Sequence, residues 1–247
     1  MADFKIQIAG HTAAVHSLFE STPLYCKKYW SQEPPEFTIT VTQEDLKLEA
    51  DALLAEALEE GFRVRIFPDP FLERTAIQRK MAEYLFDRNI LLLHGSTVAV
   101  DGKAYLFTAR CGTGKSTHTR LWCQAFGNRT VMVNDDKPFI QITANGIFAS
   151  GSPWSGKHGL DTNITVPLNG ICLLERGKEN RIEKANKETL LPMLLAQCYK
   201  PLEDAKARQF LDLVERLAET IPLWQMRCTK DIEAAQVAYT AMTNLSK

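Results

Sequence analysis

The stretch from Phe107 to Trp122, FTARCGTGKSTHTRLW, constrains the fold more than any other part of the chain. Its centre, Gly112-Thr-Gly-Lys-Ser116, is the second half of the phosphate-loop pattern G-x-x-x-x-G-K-[ST], with Ala109 at the place of the first glycine. Such a loop needs a strand that delivers the chain, a tight turn that aims backbone N–H groups inward, and a helix that begins at the anion. Residues 104–107 read as that strand and 115–126 as that helix, so the core must be of α/β type. Gly112 and Gly114 let the backbone approach phosphates, Lys115 can reach the β- and γ-phosphates, and the Ser116 hydroxyl can ligate magnesium. Ala109 adds one methyl group, so its position must not require a positive φ. The segment expected to bind nucleotide is Ala109, Arg110, Cys111, Gly112, Thr113, Gly114, Lys115, Ser116 and Thr117, with ATP and Mg2+ as the implied pair.

The 247 residues suffice for one large domain or one domain with a smaller companion. A net charge of −1 gives no basic excess, which argues against a nucleic-acid partner. No apolar run approaches the roughly 18 residues of a membrane span. MADFKIQIAG lacks the charged and apolar regions of a secretory signal, and the six cysteines are scattered without a C-x-x-C pair. A reducing, cytoplasmic setting is the expectation, with Cys172 and Cys198 as buried thiols and Cys111 as a small residue filling the loop. No zinc-ligand spacing is recognisable.

Along the chain, FKIQIA (4–9), FTITV (37–41) and FRVRIF (62–67) read as strands. DLKLEADALLAEALEEG reads as helical in its later part, and LERTAIQRKMAEYLFDRN as a helix with Ile77, Met81, Tyr84 and Leu85 on one face. Asp101-Gly102 marks a hairpin whose second strand feeds the loop. TVMVNDDKPFIQI gives a buried strand, an acidic pair and a second strand, and Asn145-Gly146 a turn. The segment IFASGSPWSGKHGLDTN reads as a Gly/Ser-rich loop and GICLLE (170–175) as a strand. The tail reads as mainly helical, with Phe210, Leu213, Val214 and Leu217 at helical spacing, a strand at 223–227 and a closing helix at 231–242.

A phosphate-loop NTPase also needs an acidic partner on a neighbouring strand to hold the metal. Asp135 and Asp136 in VMVNDDKP have that placement. Lys157, in GSPWSGKHG, is either a second cation for the γ-phosphate or a solvated loop lysine. Trp154 suits packing more than stacking on a ligand, and Arg176 and Arg181 stand near a strand end, within reach of phosphates or simply exposed.

LHGSTVAVDGKAYLFTARCGTGKSTHT, followed by NDDKP at 134–138 and PWSGK at 153–157, resembles the nucleotide core shared by HPr kinase/phosphorylase and ATP-dependent phosphoenolpyruvate carboxykinase. The resemblance covers residues 72–185. It implies an α/β fold with a mixed β-sheet phosphate-loop core of that type. The first 70 residues match neither family and read as a smaller α+β N-terminal part, so the expected division is 1–70, for acceptor recognition, and 71–247, for catalysis. It implies His94 beside the metal and the acidic pair, Asp135 as catalytic base, Asp136 with Ser116 as metal ligands, and Lys157 as a further catalytic cation. The two carboxylates can exchange roles, since adjacent acids near a cation titrate together. The expected activity is ATP- and Mg-dependent transfer of the γ-phosphoryl group to Ser or Thr of a small protein or peptide. The alternatives are a non-catalytic ATP-sensing module that binds a partner and a kinase for a hydroxyl metabolite. HPr kinases are hexameric, so the resemblance also suggests a homo-oligomer.

Overall fold

The computed structural model describes residues 2–59, 61 and 63–244. The chain divides into two compact units, Met1–Leu85 and Phe86–Lys247.

In the first unit, β1 (Ala2–Ile8) and β2 (His11–Ser17) form an antiparallel hairpin, and β3 (Phe37–Thr40) adds in parallel to β2. The hairpin turns at Ala9 and Gly10, both at positive φ. A short helix, α1 (Ser21–Tyr25), precedes β3, and two long ones follow it, α2 (Gln43–Glu59) and α3 (Asp69–Phe86). Polar pairs fasten α3 within this unit. Arg79 binds Asp45 at 2.9 Å and Glu49 at 2.6 Å, and Lys80 binds Asp45 at 2.7 Å. The fully buried Glu73 accepts from the Leu18 amide and the Thr22 hydroxyl, and the rings of Phe37 and Tyr84 stack. These ties make the division fall after Leu85, whereas the sequence suggests 70.

The strand expected at 62–67 does not form. Phe62 lies outside the described residues, and residues 63–68 have no regular structure, with Ile66 fully exposed. Alternation alone cannot make a strand without a ladder partner, and Pro68 and Pro70 close off its continuation.

The second unit is built on a sheet of nine strands: β4 (Ile90–Leu92), β5 (Ser96–Val100), β6 (Lys103–Thr108), β7 (Thr130–Asn134), β8 (Phe139–Thr143), β9 (Gly146–Ser150), β10 (Thr165–Arg176), β11 (Arg181–Lys184) and β12 (Leu223–Cys228). The order β4-β8-β9-β10-β6-β5-β7 is extended on the other side of β10 by β12 and then β11. Strand β10 is parallel to β6 and β12, whereas β5 is antiparallel to both β6 and β7, so the sheet is mixed. Asp101 and Gly102, both at positive φ, turn the β5–β6 hairpin as their sequence suggests. IFAS, expected in a loop, is β9, because the Asn145-Gly146 turn returns the chain antiparallel along β8.

Four helices cover the sheet: α4 (Lys115–Phe126), α5 (Lys187–Gln197), α6 (Ala207–Thr220) and α7 (Ile232–Thr243). Alternate residues of β6 go to opposite cores. Ala104 and Leu106 join a cluster with Phe210, Leu213, Val214 and Leu217 of α6, while Tyr105 and Phe107 join Leu121 and Trp122 of α4 and Ala234, Ala235 and Ala238 of α7. A strand buried on both faces reads as an apolar run, and YLF does. Burial of Tyr105, Phe107 and Trp122, with ring centroids 4.9 and 5.2 Å apart, fixes the start of α4 beneath the end of β6.

Candidate functional site

The loop between β6 and α4 has the backbone that its glycines permit. Gly112 and Gly114 lie at φ +75° and +123°, where a side chain would be strained though nothing would obstruct a Cβ. Ala109 is absent from the positive-φ residues and fully buried in the α4–α7 core, so the methyl group costs the loop nothing. Arg110, Cys111 and Gly112 are exposed at the tip, and Thr113, Gly114, Ser116 and Thr117 are half-buried. Lys115 turns back and donates to the Ala109 carbonyl at 3.1 Å. Burial lowers its pKa, against the pull of Cys111, Asp136 and Asp135. Arg176, at the end of β10, donates to the carbonyls of Gly112 at 2.6 Å and Thr113 at 3.4 Å. Its role is thus to brace the loop from behind. Arg181 instead pairs with Glu183 on β11.

The acidic pair directly follows β7, the neighbour of β5. Asn134 shapes it: its side-chain carbonyl accepts from the amides of Asp136 at 2.8 Å and Lys137 at 2.6 Å. The Asn134 amide group donates to the Ser152 carbonyl and hydroxyl at 2.8 and 3.0 Å, which fastens the following loop. Asp135 is buried and accepts from Ser96 at 2.7 Å, and Ser96 in turn meets Thr119 of α4 at 2.7 Å. Burial raises the Asp135 pKa, opposed by hydrogen bonds from Ser96 and Ser116 and by the charge of His158. Asp135 and Ser116 therefore stand side by side across the start of α4.

Asp136 is more open and pairs with His94, Nε2 to Oδ1, at 3.2 Å. Burial by itself would raise its carboxyl, but the His94 bond and the charges of Lys137, His94 and Lys115 prevail and hold it below the ordinary carboxylate range. Burial pushes His94 down, together with Lys137 and Lys115, although Asp136 pulls it up. Near neutrality Asp136 is therefore an ionised carboxylate.

The structure thus gathers His94, Lys115, Ser116, Asp135 and Asp136. Lys157 sits in the short 3-10 turn Gly156–His158 and is exposed, with no ion pair to either carboxylate among the described residues. Its turn is nonetheless close, for a Cβ on Gly156 would come within 3.3 Å of the Asp136 Cβ. Trp154 is buried and meets Phe139 edge-on, in keeping with packing. All six cysteines are free, Cys172 and Cys198 buried and Cys111 exposed. Sequence reasoning missed Ser96, Thr119, Asn134 and Asp161, the last accepting from Ser155 at 2.6 Å. Ser96 and Asn134 lie inside the HGS and NDDKP segments, but their bonds reach other elements.

Two oxygen donors side by side, Ser116 and Asp135, fit a magnesium ion, which takes few protein ligands and fills its octahedron with phosphate oxygens and water. No helix among the described residues is long and apolar enough to cross a membrane. No protein-family model matches the chain, and no curated protein matches it. Among solved structures it is similar to the Hpr(Ser) kinase/phosphatase from Coxiella burnetii, over 62% of this chain and 88% of that one, at 12% identity and a TM-score of 0.37. At that level no residue role transfers, and the site is described by its own geometry.

Proposed function

We propose that the chain is an ATP- and magnesium-dependent kinase that transfers a γ-phosphoryl group to a hydroxyl, with Ser or Thr of a small protein or peptide as acceptor. The observation that carries this reading is the convergence of two differently held carboxylates on the first turn of α4: Asp135 beside Ser116, and Asp136 paired with His94. The geometry favours Asp135 and Ser116 as the metal-side pair and Asp136 with His94 as the proton-handling pair, the exchanged form of the assignment suggested by the resemblance.

In this reading the loop amides and Lys115 hold the β- and γ-phosphates. Magnesium, when bound, neutralises charge on the phosphate oxygens. Asp136, ionised and oriented by His94, accepts the proton of the acceptor hydroxyl as its oxygen bonds to the γ-phosphorus and the bond to the β–γ bridging oxygen breaks.

Incubation with γ-labelled ATP and candidate peptides, small proteins and hydroxyl metabolites tests the proposal. Label on a peptide or protein hydroxyl supports it. Label on a free metabolite would replace the acceptor class. ATP binding without transfer to any acceptor would leave an ATP-sensing module and sink the kinase reading.

A further inference from the structure

Past the outer edge of β7 the chain returns antiparallel to it. The Asp135 amide donates to the Leu160 carbonyl at 3.1 Å, and the Thr162 amide to the Val133 carbonyl at 3.2 Å. Residues 160–162 therefore flank β7 on the side away from β5, β6 and the phosphate loop. The acidic pair lies between that loop and the returning segment. What precedes the segment is fastened too: Asn134 holds Ser152, and Ser155 donates to Asp161 at 2.6 Å.

The turn 156–159 is thus a short arc on a fixed base, with Gly156 at φ +67° and Gly159 at φ +60°. A Cβ on Gly156 would stand 3.3 Å from the Asp136 Cβ and 3.6 Å from its Oδ2. Any side chain there would crowd a carboxylate that the glycine leaves 33% exposed. In-line transfer brings the acceptor hydroxyl in opposite the departing phosphate. With the phosphates on the loop, the acceptor comes to Asp136 over this turn.

The lysines here lack partners. Lys157 is exposed and Lys137 half-buried, and neither ammonium has an ion pair or hydrogen bond among the described residues. The Lys137 charge bears on Asp136 and His94 without pairing with either. The acid of the returning segment, Asp161, is taken up by Ser155. Cations left unpaired at a recognition surface favour a partner of opposite sign.

We propose that the turn 156–159 and Lys137 form the acceptor-docking face and select a Ser or Thr flanked by acidic residues. The inference rests on the kinase reading above. Lys157 then meets a carboxylate of the acceptor, and Lys137 offsets the repulsion that Asp135, Asp136 and the phosphates exert on an acidic chain.

The test measures, by fluorescence anisotropy with magnesium and ADP present, the binding of three fluorescein-labelled peptides with one Ser flanked by Glu, by Ala or by Lys. The Glu-flanked peptide should bind about five- to tenfold more tightly than the Ala-flanked one, the worth of two exposed ion pairs. Lys157→Glu, at an exposed position, should erase that preference. Lys137→Glu combined with Lys157→Glu should turn it towards the Lys-flanked peptide. Equal affinity for the three peptides, or binding of none, overturns the proposal. So does a fall in ATP affinity in Lys157→Glu with the order of the peptides unchanged, which would assign that lysine to the triphosphate. Tight binding of the Glu-flanked peptide without transfer of label from ATP to any acceptor would keep the docking face and sink the kinase reading.

Discussion

Asp135 and Asp136 are adjacent in the chain and held in opposite conditions. The first is buried with its carboxyl pushed up, the second paired with His94 and held down. Asp136→Asn should therefore leave ATP affinity intact and reduce kcat by roughly 10² to 10⁴, as expected for loss of a general base. Asp135→Asn should raise the magnesium concentration needed for half-maximal rate, and a magnesium titration of both variants separates the two roles. His118, buried in the first turn of α4, gives a second prediction. Its folded pKa of about 4 lies below the ordinary 6.5, so the unfolded chain binds more protons between those values. The stability linked to its neutral state is present above pH 6.5 and lost as pH falls towards 4, on the order of 3 kcal/mol in all. Melting temperature against pH should fall less steeply across that window in His118→Phe than in wild type. At this scale the glycines and the lysine of the loop stand out in the sequence through their fixed spacing. Ser96, Thr119 and the burial of His118 do not, because a buried hydroxyl or imidazole takes its meaning from partners on other elements.

Among the elements, the hairpin at Asp101-Gly102, the strand–loop–helix that follows and the apolar face of α6 could all be read from local pattern, since each is specified by neighbours in sequence. Strand β2 was missed because HTAAVHS has few β-branched residues and is held by pairing with β1 and β3. Strand β11 is short and mostly exposed and exists through its ladder with β12. FRVRIF shows the reverse failure, a strand-like pattern without a partner. Arg176 joins two elements in a way no local pattern announces, bracing the loop from the end of β10. Arg176→Ala should loosen the loop and weaken ATP binding by about five- to tenfold, the worth of one or two hydrogen bonds, with little change in melting temperature. Calorimetric titration with a parallel thermal melt checks both halves.

For the whole molecule, every residue assigned to the site, from His94 to Arg176, belongs to the second unit. Hydrogen exchange should accordingly show ATP-dependent protection in residues 105–120, 130–137 and 171–178, and little in 2–59. Limited trypsin digestion should cut first after Arg63 or Arg65, which are exposed in a segment without regular structure. Strand β10 spans more of the second unit than any other. Residues 165–167 pair with β9, residues 168–173 with β6 and residues 171–176 with β12. Ile171 and Cys172 feed opposite cores, and Arg176 ends the strand at the loop. An inserted residue between Gly170 and Ile171 would move those two side chains to the opposite cores, and one anywhere from there to Arg176 would carry the guanidinium past its carbonyls. The strand is thus a ruler: its letters can drift over evolutionary time, but its length cannot, and insertions should collect instead in turns such as 144–146.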